Sequence, residues 1–595
     1  MTQENLSDSF SNYSSIESIL ALECGSTVTR AFLIDRVAGK YRLVARSEAP
    51  SSVDPPWSDV TASVRLALGQ LSEVTGWRFL DEKGQLIRPE HKDGGVDTIV
   101  AVTSAGEPLR LVLAGIMNDV SLSSARRALS GSYTVVEGLI SLDRRGGSIL
   151  NTDIQGQVDL VQEIEPDLIL IVGGVDGGAS GPVLQAAEAA ALACSTMPEG
   201  IRPTIVYAGN SELRTQVAEI VGADAELRAV DNVRPDVKVE NPGPLQTEIE
   251  EQYCQHKMER LPGFGILADW SPVPVLPSAK ALAHSMQYLA ELDGINIMGV
   301  DVGGATTTVG SVVDGQFDLT IRSDLGLSYN VARLLDLVSI ESISRWLPFE
   351  VDPVEIENTL HNKALRHRTV PQTREELLLE QAVAREILRL TLADMAHRWP
   401  AGASRLYPEL PPKLHLIFGR GGVLQNAATY GQAALLLLDA LQPVGVSGLA
   451  LDRLGFLAPL GAVAMVNPVA ASEVMGHDAL LNLGTVVAPV GVAREGEVAL
   501  KFKIEYQDDR ALQVEVPYGS LEVIPLPTGQ TATLELRPTR RFDVGLGSKG
   551  QAGTTKVEGG VIGIIIDARG RPLPFSEDPG EQRDKVQRWL WDMGS

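Results

Sequence analysis

The hydrophobic positions of this chain fall into short continuous runs that alternate with longer segments of helical periodicity. Residues 167–172 (DLILIV) and 203–210 (PTIVYAGN) are such runs, and an alanine-rich stretch separates them. Continuous apolar runs of this length are typical of parallel strands that helices cover on both faces. The strongest helical pattern follows Thr373 and Glu376, which form a capping box. This alternation of strands and helices predicts an α/β fold.

The pattern changes near residue 480. Beyond it, residues 498–506, 512–526 and 531–538 are strand-like and are separated by Gly and Pro turns. We therefore expect a β-rich C-terminal domain, and a chain that ends near Ala471 should remain folded without it. The expected parts are a disordered lead-in at 1–17, a first half at 18–290, a second half at 291–472, and the β-rich domain at 480–595.

Two segments of the chain repeat one another. Residues 19–35 and 298–314 each run from an apolar strand, through a turn that carries an acid and glycine, into a second strand that ends in an acid. The first acid is Glu23 in one segment and Asp301 in the other. Two similar hairpins, each opening one half of the chain, predict a duplicated fold with a ligand between its halves.

The turns of these hairpins carry groups suited to binding phosphate. Glycines let the backbone approach a ligand, and their N–H groups can cradle phosphate oxygens. Hydroxyl groups add donors, and the Asp301 carboxylate is placed to hold a cation. The candidates are Gly25, Ser26 and Thr27 in the first turn, and Gly303, Gly304, Thr306, Thr307 and Thr308 in the second. An ordinary hairpin turn is the alternative interpretation.

A third glycine-rich turn lies in the second half. Residues 414–427 (LHLIFGRGGVLQNA) run from a strand into Gly419, Gly421 and Gly422, and a helix is expected to follow. A plain connection between a strand and a helix would also use glycines at these positions. From the residues alone, a binding role and a plain turn both stay open.

Composition limits the classes of partner. The hydrophobic fraction of 44% and the charged fraction of 21% are those of a globular protein, and the net charge of −25 argues against non-specific binding of nucleic acid or an anionic membrane. The three cysteines cannot form a disulfide framework and suit a reducing cytoplasm. The most apolar segment, 454–471, is broken by Pro459 and Pro468, which predicts a buried helix rather than a membrane span.

From about residue 18 to 470 the chain resembles the MutL-type accessory proteins of glutamate (methylaspartate) mutase. This family belongs to the actin-like ATPase superfamily, together with sugar kinases, acetate kinase and heat-shock chaperones; it is unrelated to the mismatch-repair protein that shares the name MutL. The resemblance rests on the two hairpins and on further segments in fixed order. These are TSAGEPLRLVLAG at 103–115, LILIVGGVDGG at 168–178, IVYAGN at 205–210 and FGRGGVLQNA at 418–427.

The resemblance implies a duplicated actin-like, ribonuclease H-like fold that binds ATP between its halves. It implies that Glu23 and Asp301 are catalytic and position Mg²⁺ and the attacking water, while the hydroxyl groups of both turns hold phosphate. It assigns adenosine binding to the glycines of the third turn. The implied activity is slow Mg²⁺-dependent ATP hydrolysis by a chaperone that reactivates an adenosylcobalamin-dependent mutase. Whether the chain forms a homo-oligomer is left open.

Three departures from the superfamily pattern and two alternative functions remain. The domain after 480 extends beyond the shorter members of the superfamily, which leaves the choice of partner open. Glu23 stands where the superfamily has aspartate, which puts the metal geometry in doubt, and Glu107 and Pro108 stand where small residues are expected. A metabolite kinase would use the same nucleotide site but needs a carboxylate base. Asp176 and Asp324 are the candidates for that base. A filament-forming actin relative without catalytic activity is the other alternative.

Overall fold

The chain folds into two compact units. The computed structural model describes residues 16–141, 154–399, 410–508 and 510–595. The larger unit comprises the chain up to Ala105, Gly265–Thr320 and Asp324–Ser595, and the smaller unit comprises Gly106–Phe264 and Ile321–Ser323. The lead-in predicted for 1–17 lies, up to residue 15, outside the described residues.

The strands are numbered in chain order. They are β1 (Ile19–Cys24), β2 (Val28–Val37), β3 (Lys40–Pro50), β4 (Thr98–Thr103), β5 (Leu109–Gly115), β6 (Thr134–Ser141), β7 (Leu168–Val172), β8 (Thr204–Tyr207), β9 (Leu227–Ala229), β10 (Leu276–Pro277), β11 (Ile297–Val302), β12 (Thr307–Val313), β13 (Gln316–Arg322), β14 (Leu416–Arg420), β15 (Gly445–Leu451), β16 (Leu481–Ala488), β17 (Val498–Tyr506), β18 (Ala511–Pro517), β19 (Leu521–Ile524), β20 (Thr531–Pro538), β21 (Gly553–Glu558) and β22 (Gly563–Asp567).

The α-helices are numbered in the same way. They are α1 (Val60–Thr75), α2 (Ser123–Leu129), α3 (Ile154–Ile164), α4 (Gly181–Thr196), α5 (Arg214–Val221), α6 (Gly243–Tyr253), α7 (Phe264–Trp270), α8 (Ser278–Asp293), α9 (Ile340–Ser344), α10 (Pro353–Leu365), α11 (Arg374–Ala396), α12 (Gly422–Gln425), α13 (Tyr430–Leu441), α14 (Leu457–Val466), α15 (Pro468–Val474) and α16 (Pro579–Asp592).

The larger unit contains the same strand arrangement twice. Its first sheet has the order β3–β2–β1–β4–β10, and its second sheet begins β13–β12–β11–β14–β15. In each sheet the hairpin strands are antiparallel (β1 with β2, β11 with β12), and the first hairpin strand is parallel to the next strand inward (β4 or β14). The duplicated α/β fold predicted from the two hairpins is confirmed.

Two helices pack closely within the larger unit. The sequence segment predicted to be a buried helix forms α14, and its Gly461 lies so near the backbone of Ala281 in α8 that a Cβ atom would overlap the Ala281 carbonyl oxygen. Phe32, from β2, stacks on Phe456 at the start of α14 with ring centroids 4.4 Å apart. Within the described ranges, no helix is long and apolar enough to cross a membrane.

Helix α11 begins where the capping pattern predicts. The Thr373 hydroxyl accepts a hydrogen bond from the Glu376 N–H at 3.2 Å, which satisfies one of the unpaired donors of the first turn. The Glu376 carboxylate in turn accepts the N–H of Gln372 at 2.6 Å rather than that of the cap residue. The helix ends at Ala396, and the following His397 is its C-cap.

The segment after residue 480 is β-rich, as predicted, but it shares a sheet with the second half. Strands β16, β22 and β19 extend the second sheet beyond β15, while β18, β17, β20 and β21 form a sheet of their own. Ile565 of β22 and Trp589 of α16 lie in the same hydrophobic core as Val300 of β11. The division into two halves and a C-terminal domain stays a prediction. The second sheet, however, continues across the boundary predicted between residues 472 and 480.

The smaller unit is a single five-stranded parallel sheet. Its order is β6–β5–β7–β8–β9, and each neighbouring pair is parallel. The apolar run at 167–172 forms the central strand β7, which is fully buried as its composition predicts. The alanine-rich helix α4 covers it, with Ala187 and Ala193 in the core.

Candidate functional site

The two hairpin turns have the same backbone geometry. The N–H of Gly25 donates to the Val28 carbonyl at 3.0 Å, and the N–H of Gly303 donates to the Thr306 carbonyl at 2.9 Å. A Cβ atom on either glycine would lie within 2.9 Å of the carbonyl oxygen that it bonds. Both glycines are therefore needed to close the turns, whatever the turns bind.

The two turns lie against each other within the larger unit. A Cβ atom at Gly304 would lie 2.5 Å from the Thr27 methyl carbon and 3.6 Å from the Ser26 hydroxyl. Tyr329 joins them: its N–H donates to the Gly304 carbonyl at 3.1 Å, and its hydroxyl oxygen lies 3.0 Å from the Ser26 carbonyl oxygen and 2.7 Å from Asp54 Oδ2. The structure thus brings together three of the predicted phosphate-binding residues.

The threonine run of the second turn is only partly accessible. Thr306 is half-buried, whereas Thr307 and Thr308 lie in β12 and are buried. The Thr307 hydroxyl has no hydrogen-bond partner among the described residues and is closed off from solvent. Of this run, only Thr306 is placed where a hydroxyl group can reach a ligand without movement of the strand.

The two acids of the hairpins are joined by an arginine of the third motif. Arg420, at the end of β14, donates through Nη2 to Glu23 Oε1, and its Nε lies 3.1 Å from Asp301 Oδ2. The other oxygen of Glu23 accepts a hydrogen bond from Arg30 Nη1 at 3.1 Å. Arg30 also donates to Gln425 Oε1 at 3.0 Å. Sequence reasoning placed Glu23 and Asp301 together but did not find the arginines between them.

Asp452 is the third carboxylate near Arg420. Its two carboxylate oxygens accept the backbone N–H groups of Phe456 at 2.8 Å and Leu457 at 3.0 Å, at the start of α14. Its Oδ2 is 4.0 Å from Arg420 Nε. Gln425 donates to the Asp452 carbonyl at 2.9 Å and so ties the short helix α12 to the cluster.

The three glycines of the third motif have different surroundings. A Cβ atom at Gly419 would lie 2.7 Å from Leu424, and one at Gly421 would overlap the carbonyl oxygen of Val302 in β11. Gly421 also has φ +102°, which side chains rarely adopt. A Cβ atom at Gly422, by contrast, would meet no atom within 4 Å. Gly422 alone therefore borders open space.

Comparison with known proteins identifies the family of this chain. Residues 19–479 match the model of the MutL protein family. The chain belongs to the MutL protein family. Among curated proteins it is similar to Protein MutL of Clostridium tetanomorphum, with 24% identity over 449 residues that cover 70% of this chain and 88% of that protein. The family resemblance drawn from the sequence motifs is confirmed.

Solved structures show weaker likenesses. Nucleotide-free acetone carboxylase is 12% identical, with coverage of 84% of this chain and 81% of that one and a TM-score of 0.32. Gluconate kinase from Lactobacillus acidophilus is 13% identical, with coverage of 78% and 92% and a TM-score of 0.30. At these TM-scores the likenesses carry no conclusion about the activity of this MutL-family protein.

The charges of this MutL-family site are strongly coupled. Burial opposes ionisation of Glu23, but Arg420 and Arg30 outweigh it and hold the pKa of Glu23 below its usual value. Burial raises the pKa of Asp301 and also that of Asp452, with Arg420 acting in the opposite direction on both. Glu23 is thus held as an anion, whereas the pKa values of both aspartates are raised, and of these two only Asp301 retains side-chain exposure, 23% against 0% for Asp452.

The metal role predicted for the two acids does not fit this geometry. Glu23 is 3% exposed, and both of its oxygens accept hydrogen bonds from guanidinium groups. Asp301 retains 23% side-chain exposure, but it is a single carboxylate. Across the described part of the chain, no group of three or more His, Cys, Asp or Glu side chains is arranged to hold a metal ion.

Two substitutions at neighbouring glycines should separate folding from binding. We expect Gly422→Val to fold normally and to weaken ATP binding at least about tenfold, because its side chain enters open space that adenosine would occupy. Gly421→Ala is the matched contrast, since its added carbon overlaps Val302 and should lower the melting temperature instead. Calorimetric titration and thermal unfolding measure the two effects. Unchanged ATP affinity in folded Gly422→Val would remove this glycine from the site.

Proposed function

We propose that this protein is an ATP-dependent accessory protein that reactivates an adenosylcobalamin-dependent mutase of the glutamate mutase type. The observation that carries the proposal is the meeting of two matching hairpin turns, at Ser26, Thr27 and Gly304, in a chain of the MutL family. Backbone N–H groups and hydroxyl groups from two adjoining turns are suited to the phosphates of a nucleotide.

The residues divide into three roles in this proposal. The two turns hold the phosphates through Ser26, Thr27, Gly304 and Thr306, while Gly25 and Gly303 close the turns with N–H groups that already bond to Val28 and Thr306. Gly422 borders the adenosine, while Gly419 lets β14 lie close to Leu424 of α12 and Gly421 lets the turn lie close to Val302 of β11. Asp301 orients the attacking water, because it is the acid of the pair that retains solvent exposure. Mg²⁺ would enter only as the counter-ion of the nucleotide phosphates.

Nucleotide binding would act on the partner through the contacts between the turns. A ligand shifts an equilibrium only if it binds one arrangement better than the other. Phosphates that lie between the turns must compete with the contacts of Gly304 with Thr27 and of Tyr329 with Ser26. ATP and ADP differ at the γ-phosphate, so hydrolysis would change the separation of the turns and a bound mutase would sense the change.

The kinase alternative is less well supported by its candidate bases. Asp176 accepts hydrogen bonds from the Ser211 N–H at 2.8 Å and from the Asn232 amide at 2.9 Å. Burial raises the pKa of Asp176, but the hydrogen bonds outweigh burial and hold this pKa below its usual value. A lowered pKa makes Asp176 a weaker base. Asp324 forms an ion pair with Arg333 at 3.2 Å. Neither carboxylate is poised to take a proton from an acceptor hydroxyl.

Phosphate release from ATP, measured with and without the mutase, tests the proposal. The purified protein should hydrolyse ATP slowly, and addition of the adenosylcobalamin-dependent mutase from the same organism should stimulate the rate. Formation of a phosphorylated small metabolite would favour a kinase, and ATP-dependent polymers seen by light scattering would favour a filament. An ATPase rate that the mutase leaves unchanged would contradict the proposed partner.

A further inference from the structure

The Arg420 guanidinium occupies the place between the hairpin acids where a divalent cation was expected. It bridges Glu23 of the first hairpin and Asp301 of the second, and its side chain is 3% exposed. We propose that Arg420 is the built-in cation of the nucleotide site, so that ADP and ATP bind without a protein-held divalent metal. This inference rests on the proposed nucleotide binding and deepens it.

The geometry around Glu23 suits a guanidinium and not a magnesium ion. Mg²⁺ requires near-octahedral oxygen ligands at about 2.0–2.1 Å, most of them free to approach the ion. Glu23 instead accepts one hydrogen bond on each oxygen, from Arg420 and from Arg30. Guanidinium groups bind carboxylates and phosphates through planar donor forks and stay charged at any physiological pH. The negative charge of Glu23 is therefore already compensated by two guanidinium groups of the chain itself.

Arg420 also has donors left for a ligand. Its Nη1 has no hydrogen-bond partner among the described residues, and its Nε lies near Asp301 without a hydrogen bond of good geometry. A buried charged donor without a partner is costly, so such groups usually serve a ligand or a bound water. A phosphate oxygen beside Asp301 would satisfy Nη1 with a charge-assisted hydrogen bond.

The charges of the cluster support the same role. Glu23, Asp301 and Asp452 supply three carboxyl groups, and Arg420 and Arg30 supply two guanidinium groups. Burial raises the pKa of both aspartates, and the two guanidinium groups offset two of the three carboxyl charges before any ligand binds. A cluster of acids alone would repel phosphate unless a metal ion were present, whereas this one does not need it.

The test is calorimetric titration of the full-length protein with ADP, once in excess Mg²⁺ and once in excess EDTA. We expect the two dissociation constants to agree within about threefold. Binding in Mg²⁺ that weakens by more than this in EDTA would overturn the role of Arg420 and leave the proposed function intact. Absence of binding under both conditions would overturn the proposed function itself.

A variant supplies a second readout that does not depend on nucleotide. In Arg420→Met, Glu23 and Asp301 lose their shared cation, so the variant should bind Mn²⁺ in the absence of nucleotide, as seen by electron paramagnetic resonance. Wild type and Arg420→Lys, which keep the positive charge, should not. Circular dichroism reports whether each variant is folded. If Arg420→Met does not fold, the wild-type measurement still decides, because Mn²⁺ binding by wild type would overturn the proposal.

Discussion

A chain that ends at Ala471 should lose the ordered packing of its second half. Removal of β16, β22 and β19 would expose the edge of β15 and uncover the core around Val300 and Ile417. The large apolar core residues that would be lost include Leu483, Val486, Leu521, Ile565, Leu573, Val586, Trp589 and Leu590. Each large buried side chain contributes about 1.5–3 kcal/mol. Their combined contribution is of the same order as the about 5–15 kcal/mol by which a typical domain is stable.

Buried charges make this truncation more severe. Arg569, beyond the truncation point, donates to Asp439 of α13 at 2.8 Å, and Asp439 also pairs with Arg385 of α11. Arg569 and Arg571 both bind Asp567, and all three side chains are buried. Truncation leaves Asp439 and Arg385 with part of their buried network missing, which costs more than an exposed pair would.

Near-ultraviolet circular dichroism and dye binding measure the outcome. The truncated chain should lose its near-ultraviolet signal and bind a hydrophobic dye, while its far-ultraviolet spectrum changes less. As a matched control, Lys501→Ala, which removes an exposed pair with Glu515, should leave all three unchanged. A truncated chain with an intact near-ultraviolet spectrum and intact ATP binding would restore the separate domain predicted from composition.

Asp301→Asn should slow ATP hydrolysis by about 10²–10³ while ATP affinity stays within about tenfold of wild type. In the proposed site the backbone and hydroxyl groups of the turns and the Arg420 guanidinium would hold the phosphates, and none of these donors belongs to the Asp301 side chain. The carboxylate is needed where charge rearranges in the transition state, to orient and deprotonate the attacking water. Single-turnover hydrolysis and calorimetry measure the two quantities separately, and an unchanged single-turnover rate would make Asp301 a turn residue only.

The pH dependence of hydrolysis gives a further check on Asp301. Burial raises its pKa above the usual value of about 3.9. The active form is the carboxylate, so the rate should increase with pH as this raised pKa is passed and should be constant above it. The increase should disappear in Asp301→Asn, because the amide does not titrate.

Glu23→Gln is the matched comparison and should behave differently. Glu23 is buried between Arg420 and Arg30, so its substitution breaks a buried ion pair, which typically costs about 3–5 kcal/mol. A lower melting temperature is therefore expected in addition to any change in turnover. The two arginines around Glu23, which the sequence does not reveal, are the reason for this added loss of stability.

The hairpins could be predicted from sequence because their signals are local. Residues 19–35 and 298–314 correspond to β1–β2 and β11–β12, and Thr373 caps α11 as its spacing with Glu376 indicates. Apolar alternation, turn glycines and capping residues all act within a few positions of one another. The repeated strand order then follows from the repeat of the hairpin.

The cluster around Arg420 could not be predicted in the same way. Glu23 and Arg420 are 397 positions apart, and nothing in the chain near either residue marks them as partners. The sequence FGRGG reads as a glycine-rich turn, in which an arginine is usually exposed to solvent. The extension of the second sheet by β16 and β22 was missed for a related reason. A change in composition near 480 reports a change of secondary structure but not which sheet the new strands join.

Recovery of a stalled mutase is the most direct test of the proposed function. The adenosylcobalamin-dependent mutase from the same organism is loaded with a cobalamin that lacks the adenosyl group, and fresh adenosylcobalamin is then added with this protein and ATP. Mutase activity should return with ATP, and it should return far more slowly with a non-hydrolysable ATP analogue or with Asp301→Asn. Equal recovery with and without ATP, or none under any condition, would contradict an ATP-driven reactivating role.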